Sequence, residues 1–189
     1  MSGPVGDAGA EVAATVSTGM RDVQDFPLPG VLFKDISPLL ADPQAFGMAV
    51  RALADAARAA GGVDLVSGVE ARGFVLAAAL ANELNCGLVL VRKAGKLPPP
   101  TVTREYQLEY GTAVLEVPLG VLDGRRVYVV DDVLATGGTL AAATQLLTEA
   151  GAEISGTGVL LEIGFLNGRA ALSGLSGSSG PRVTALLRV

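Results

Sequence analysis

The stretch Val127 to Leu140 reads VYVVDDVLATGGTL and concentrates the residues best suited to chemistry. Asp131 and Asp132 stand side by side, directly after the apolar run Val127 to Val130. Such a run predicts a strand buried on both faces of a parallel sheet, which delivers the two carboxylates to its carboxyl end. Ala135, Thr136, Gly137, Gly138 and Thr139 follow and open into a helical run, Leu140 to Ala150. Bare N–H groups at a helix start favour an anion, and two glycines let the backbone wrap it without a Cβ in the way. Thr136 and Thr139 add hydroxyl donors, and adjacent carboxylates accept hydrogen bonds from vicinal hydroxyls. A phosphate beside a diol is the chemistry of ribose 5-phosphate. No Lys follows the second glycine, so this is not a Walker loop, and the three-glycine dinucleotide spacing is missing.

A second informative stretch is Asp25 to Pro38, DFPLPGVLFKDISP. Pro27 and Pro29 forbid a helix and Gly30 suits a turn, so the residues predict an ordered, extended loop carrying an exposed aromatic. A further strand-loop-helix unit and a third strand end at the carboxyl edge of the expected sheet, where open α/β sheets bind ligands. Val63 to Val69 runs into Glu70, Ala71, Arg72 and Gly73, followed by a helix from Phe74 to Asn85. Gly87 to Val91 runs into Arg92, Lys93 and Lys96, a cationic cluster suited to a polyanion.

The remaining elements position these loops. Residues 1–9 read as disordered, and Ala10 to Asp22 as a short helix. Asp42-Pro43 opens a covering helix, with Phe46, Val50, Leu53 and Ala57 at helical spacing and Gly61-Gly62 at its end. Pro98 to Tyr110 lacks periodicity and reads as a lid or linker, with Thr112 to Val117 pairing back across it as a half-exposed strand. Ile154 to Ile163 reads as a strand with Glu162 near its end. Ser173 to Gly180 is a Ser/Gly linker, and Val183 to Val189 a final strand.

Composition narrows the chemistry. With no histidine, Ser-His and Cys-His mechanisms are excluded and zinc is disfavoured. A net charge of −5 argues against nucleic acid as partner. The longest apolar run, Phe74 to Ala81, is too short to span a bilayer, and the N-terminus lacks a signal-peptide pattern. The single cysteine, Cys86, fits a reducing compartment, hence a cytoplasmic location.

The Val127 to Leu140 stretch resembles the signature of type I phosphoribosyltransferases, which bind phosphoribosyl pyrophosphate (PRPP). Asp25 to Pro38 is similar to the N-terminal motif of the adenine phosphoribosyltransferases within that group. The resemblance implies a single domain over residues 1–189: an α/β fold with a parallel sheet flanked by helices. It also implies a small hood (residues 20–40 with a tail at 173–189) and a flexible lid loop at 94–111. It implies PRPP and adenine as substrates, AMP and pyrophosphate as products, and a homodimer. Asp131, Asp132 and Ala135 to Thr139 are then expected to hold the ribose and its 5-phosphate. Glu70, Ala71, Arg72, Arg92, Lys93 and Lys96 are expected to face pyrophosphate, and Leu32, Phe33 and Lys34 to face adenine. Phe33 stacks on the base, and the backbone at Leu32 and Lys34 reads its edge. Many relatives carry Arg where Lys34 stands. The Tyr106 to Gly111 string resembles the close of the family's catalytic loop, which makes Glu109 the acid/base group and Tyr110 a lid contact, with Arg72 as the second catalytic residue. Mg²⁺ is expected to be reached through the substrate, with Asp131 or Asp132 as its protein contact, as befits an acidic, His-free site. Gly164 to Leu172 resembles the family's short Gly-Arg-x-x-Leu helix, which carries Arg169. The tail lacks the aromatics many relatives carry. The alternatives are a transferase for another purine base, which should lack the Asp25 to Pro38 string, and a non-catalytic PRPP-sensing regulator, which needs a DNA-binding module.

Overall fold

The structure is a computed structural model that describes residues 7–107, 111–175 and 180–189. Its centre is a strand whose successive side chains serve two different cores. In β7 (Arg126–Leu134), Val127 and Val129 pack into one apolar cluster and Tyr128 and Val130 into another, as the two-residue period of a strand requires. Both faces are covered, which is why the run carries no polar alternation.

Around β7 the sheet has seven strands in the order β5-β6-β4-β3-β7-β8-β9. β3 (Leu65–Val69), β4 (Gly87–Lys93), β7, β8 (Glu153–Glu162) and β9 (Val183–Arg188) run parallel. β6 (Thr112–Pro118) and β5 (Thr101–Gln107) add an antiparallel edge. The expected parallel sheet is therefore the core of a mixed one. A separate two-stranded ribbon, β1 (Arg21–Gln24) with β2 (Leu32–Asp35), stands apart from it as the N-terminal hood.

One face is covered by α1 (Asp7–Thr18), α2 (Ser37–Ala41), α3 (Pro43–Ala59) and α4 (Arg72–Leu84). The Asp42 carboxylate caps α3, accepting from Gln44 N at 2.8 Å and Ala45 N at 3.1 Å. Ala49, Leu53 and Ala57 form its fully buried stripe. On the other face lies α5 (Gly138–Glu149), whose Leu140, Leu146 and Leu147 join the β5–β6 hairpin, and Leu172 of the short α6 (Arg169–Leu172) joins that core.

Three expectations are corrected. The first helix begins at Asp7, so residues 7–9 are helical, and the chain is extended again by Arg21. Thr101–Gln107 is a strand rather than irregular lid, because Val102 and Tyr106 alternate onto the core while Thr103, Glu105 and Gln107 face away. Val183–Arg188 does not build the hood; it pairs with β8 from Thr157↔Val183 to Glu162↔Arg188 and closes one edge of the main sheet.

Candidate active site

The carboxyl ends of β3, β7 and β8 open into one cavity of about 360 Å³ roofed by the hood. Asp131 and Asp132 form its floor. They belong to β7, which continues to Leu134, so both are held by sheet hydrogen bonding instead of lying in the loop beyond it. Asp132 is buried, and its own N–H donates to Asp131 Oδ1 at 2.9 Å. Burial and the neighbouring charge of Asp132 push the Asp131 carboxyl well above the ordinary carboxylate range. Burial also raises Asp132, against the pull of the Arg72 cation.

Beyond Leu134 the chain turns through Ala135 to Gly137 into α5. Gly137 sits in the left-handed region at φ +85°, where a side chain would be strained. No side chain caps α5, so the N–H groups of its first turn stay open towards the cavity that Gly137, Gly138 and Thr139 line. An open helix start next to two carboxylates suits a ligand that carries an anion and hydroxyls a few ångströms apart.

The second wall is the turn Glu70–Arg72 between β3 and α4. Gly73 allows it to approach closely: a Cβ there would stand 3.1 Å from Asp131 Oδ1 and 3.0 Å from Val130 O. Arg72 Nη2 consequently reaches Asp132 Oδ2 at 2.9 Å. The same guanidinium lies 4.9 Å over the Phe33 ring, and Phe26 meets that ring edge-on at 5.0 Å between centroids. Leu32, Phe33 and Lys34 thus come into the cavity from the hood. Lys34 turns its ammonium away to Asp22, 2.7 Å distant, so its backbone is what faces the cavity.

The cationic cluster is placed differently. Arg92, Lys93 and Lys96 do not line the cavity. Arg92 Nε lies 3.4 Å from Glu70 Oε2, Arg92 Nη1 donates to Lys96 O at 3.0 Å, and Lys93 N donates to Glu70 Oε2 at 3.0 Å. They flank the cavity through Glu70, whose carboxyl these contacts hold below its usual range, the Lys93 N–H contributing most. Ile163, just after β8, lines the cavity and was not singled out in the sequence; a lone apolar residue after a strand gives no signal of its own. Val31 and Val133 also line it, within the two quoted motifs but without a polar group to mark them. Glu109 and Tyr110 lie outside the described residues.

Residues 39–169 match the family described as the phosphoribosyl transferase domain. The adenine phosphoribosyltransferase of Mycolicibacterium gilvum is 54% identical over 176 residues, covering 92% of this chain and 97% of that protein. That of Kineococcus radiotolerans is 60% identical over 162 residues, covering 85% and 87%. The crystal structure of adenine phosphoribosyltransferase from Rhodothermus marinus matches with a TM-score of 0.87 at 39% identity, over 95% of this chain and 99% of that one. The chain belongs to the adenine phosphoribosyltransferase family.

The Saccharomyces cerevisiae adenine phosphoribosyltransferase, with a TM-score of 0.86 and 33% identity over 94% of this chain and 99% of its own, was solved with an imino-altritol bisphosphate and adenine. Membership in the adenine phosphoribosyltransferase family bears out both motif resemblances, and with them the expected flanked-sheet fold. Among the described residues no helix is long and apolar enough to cross a membrane.

Proposed function

We propose that this cavity transfers the phosphoribosyl group of PRPP to adenine, giving AMP and pyrophosphate. One observation carries the reading: a single cavity brings the hood residues Leu32 to Lys34 against both carboxylates and the open start of α5. A base, a diol and a phosphate thereby find complementary walls in the order in which a nucleotide presents them.

In this reading the backbone from Ala135 to Thr139 holds the 5-phosphate, aided by the dipole of α5 and the two threonine hydroxyls. Asp131 and Asp132 accept from the ribose hydroxyls. Adenine lies between Phe33 and Ile163, its edge read by the backbone at Leu32 and Lys34. Arg72 balances charge on the departing pyrophosphate, with Glu70 and Ala71 forming the turn beneath it and Arg92, Lys93 and Lys96 on its outer flank. As the C1–O bond lengthens, positive charge develops at C1, and the adenine nitrogen attacks from the opposite face. Pyrophosphate takes the bonding pair, and the adenine N–H proton passes to Glu109. Tyr110 closes over the site and helps exclude water. The protein's contribution is positioning and fixed charge.

A Mg²⁺ ion fits this donor set. Among the described residues, no three His, Cys, Asp or Glu side chains form a cage. Asp132 Oδ2 is nevertheless buried with no hydrogen bond beside its ion pair with Arg72, and both aspartates offer hard oxygen donors. That suits an ion ligated mainly by substrate oxygens, with Asp131 or Asp132 as the protein contact. Bound there, it supplies charge neutralisation at the diol and pyrophosphate. The family resemblance supports a cytoplasmic location and a homodimer, and sedimentation velocity tests the latter.

The deciding experiment is pyrophosphate release from PRPP and Mg²⁺ with adenine, hypoxanthine, guanine or orotate supplied separately. Release with adenine alone is expected. Release with another base keeps the PRPP walls but rejects the role given to the hood, and PRPP binding with no release from any base points to a sensor.

A further inference from the structure

Glu162 is the last residue of β8, lies on neither substrate wall, and is buried with 2% of its surface exposed. A carboxylate is rarely left so deep without a purpose, since desolvation of an ion is costly. Its partner is Arg169 on α6. Arg169 Nε stands 3.0 Å from both carboxylate oxygens, Nη2 is 2.7 Å from Oε2, and Nη1 donates to Val183 O at 2.9 Å. Arg188 Nε adds a weaker contact at 3.6 Å.

What this fork holds is the residue before it. Gly168 is pressed so tightly against the loop after β7 that a Cβ on it would come within 2.3 Å of Ala135 O. In the other direction, a Cβ on Gly137 would come within 2.2 Å of Gly168 O. Two glycines therefore meet backbone to backbone at the loop assigned to the 5-phosphate. The brace is closed through the main chain: Glu162 pairs with Leu134 at the start of that loop, and Ile163 N donates to Leu134 O at 2.9 Å. From β7 to β8, through the Glu162 carboxylate to Arg169 and back through Gly168 to Ala135 and Gly137, the contacts form a ring behind the loop.

We infer that Glu162 and Arg169 are positioning residues for the phosphate loop: their ion pair seats Gly168 against Ala135 and Gly137 and so fixes the backbone N–H groups that hold the ribose 5-phosphate. This rests on the assignment of residues 135–139 to the 5-phosphate. The pair touches no substrate. It acts on the ligands that share that phosphate, PRPP and AMP, and leaves pyrophosphate alone. A staple that merely stabilised the fold would show no such selectivity.

The test is calorimetric binding of AMP and of pyrophosphate, with steady-state kinetics in both directions, for Arg169→Gln and Arg169→Lys. Thermal midpoints are recorded, and binding is read well below them. Because Arg169 is half-exposed, Arg169→Lys retains a foldable chain with the charge but without the fork. Both variants should weaken AMP and raise KM for PRPP on the order of ten-fold, with kcat less affected and pyrophosphate affinity unchanged. Lys should recover part of the loss seen with Gln. A lowered thermal midpoint with AMP affinity intact, or equal losses for AMP and pyrophosphate, overturns the proposal. Thr139→Ala serves as the reference for the underlying assignment. If it leaves AMP binding unchanged, the assignment fails and the inference with it; if it weakens AMP while the Arg169 variants do not, only the brace is rejected.

Discussion

Arg72 Nη2 lies 2.9 Å from Asp132 Oδ2, a carboxylate oxygen that has no hydrogen bond of its own. The cation sits at the seam between the diol floor and the base wall, since the same guanidinium covers Phe33 and reaches Lys34 O at 3.5 Å. One side chain thus touches three groups, one assigned to the ribose and two to the base.

Arg72→Ala should therefore lower kcat/KM for PRPP on the order of a hundred-fold, because a preorganised cation at the developing pyrophosphate charge is removed. It also leaves the buried Asp132 carboxylate without its ion-pair partner. Arg72→Lys restores charge but not the planar contact with Phe33, and should recover only part of the loss. Initial rates over a PRPP series check both. A change below about three-fold for Arg72→Ala rejects the role.

The aspartate pair makes a pH prediction with a definite sign. Asp131 is raised, by burial first and by Asp132 second, so the folded protein holds a proton there that the unfolded chain has released. Its contribution favours the fold below the unfolded carboxylate pKa and is lost as pH rises through the folded one. Glu162 and Glu116 behave oppositely. Arg169 holds Glu162 low, and the N–H groups of Leu97, Lys96 and Gly95 outweigh burial at Glu116. Their stabilisation is present above the unfolded pKa and is lost as pH falls through the folded one. The ligand-free protein should be most stable on the acid side of neutrality. Asp131→Asn should raise the thermal midpoint at neutral pH and flatten that slope, while lowering kcat/KM on the order of a hundred-fold or more. A midpoint that falls at neutral pH contradicts this account. Chemical denaturation across pH values measures it.

At the base wall the hood separates stacking from side-chain charge. Phe33→Ala removes an aromatic face, a contact worth about 1–3 kcal/mol per base, and should raise KM for adenine about ten- to a hundred-fold with KM for PRPP little changed. Lys34→Arg should leave adenine kinetics within about two-fold, because Lys34 points its ammonium at Asp22 and offers adenine its backbone. Comparing the two KM values for each variant decides the matter.

Sequence reading found the carboxylate floor and the open helix start because they are compressed into consecutive residues, Asp131 to Thr139. Pro27, Pro29 and Gly30 revealed only an extended loop, and its place in a hood came from the family resemblance. Sequence reading failed where burial was shared between distant segments. Thr101–Gln107 looked polar, yet Val102 and Tyr106 reach the core once β6 pairs with them. Ile163 became part of the cavity only through the parallel pairing of β8 with β7. Arg92, Lys93 and Lys96 were legible as a cationic cluster, but their distance from the cavity depends on Glu70, more than twenty residues earlier, which accepts from Arg92 and Lys93.

That displaced cluster leads to a last prediction. Glu116 is buried in β6, opposite Arg92 in the sheet register. Its Oε1 accepts from Lys96 N at 2.6 Å and Leu97 N at 2.7 Å, which folds residues 94–97 into a tight turn. The carbonyl of Lys96 then takes Arg92 Nη1, and Arg92 holds Glu70 on the cavity wall. The turn is thus secured from the sheet, and Arg92 is tied to the cavity wall through Glu70. Glu116→Ala frees two backbone N–H groups and removes the link to Arg92. It should raise KM for pyrophosphate in the reverse reaction on the order of ten-fold and leave AMP affinity intact, the mirror image of the Arg169 variants. Combining Glu116→Ala with Arg169→Gln tests whether the two supports are independent. Additive losses within about 0.5 kcal/mol are expected for sites that share no partner. A loss of AMP affinity in Glu116→Ala alone instead places the turn and the phosphate loop in one network.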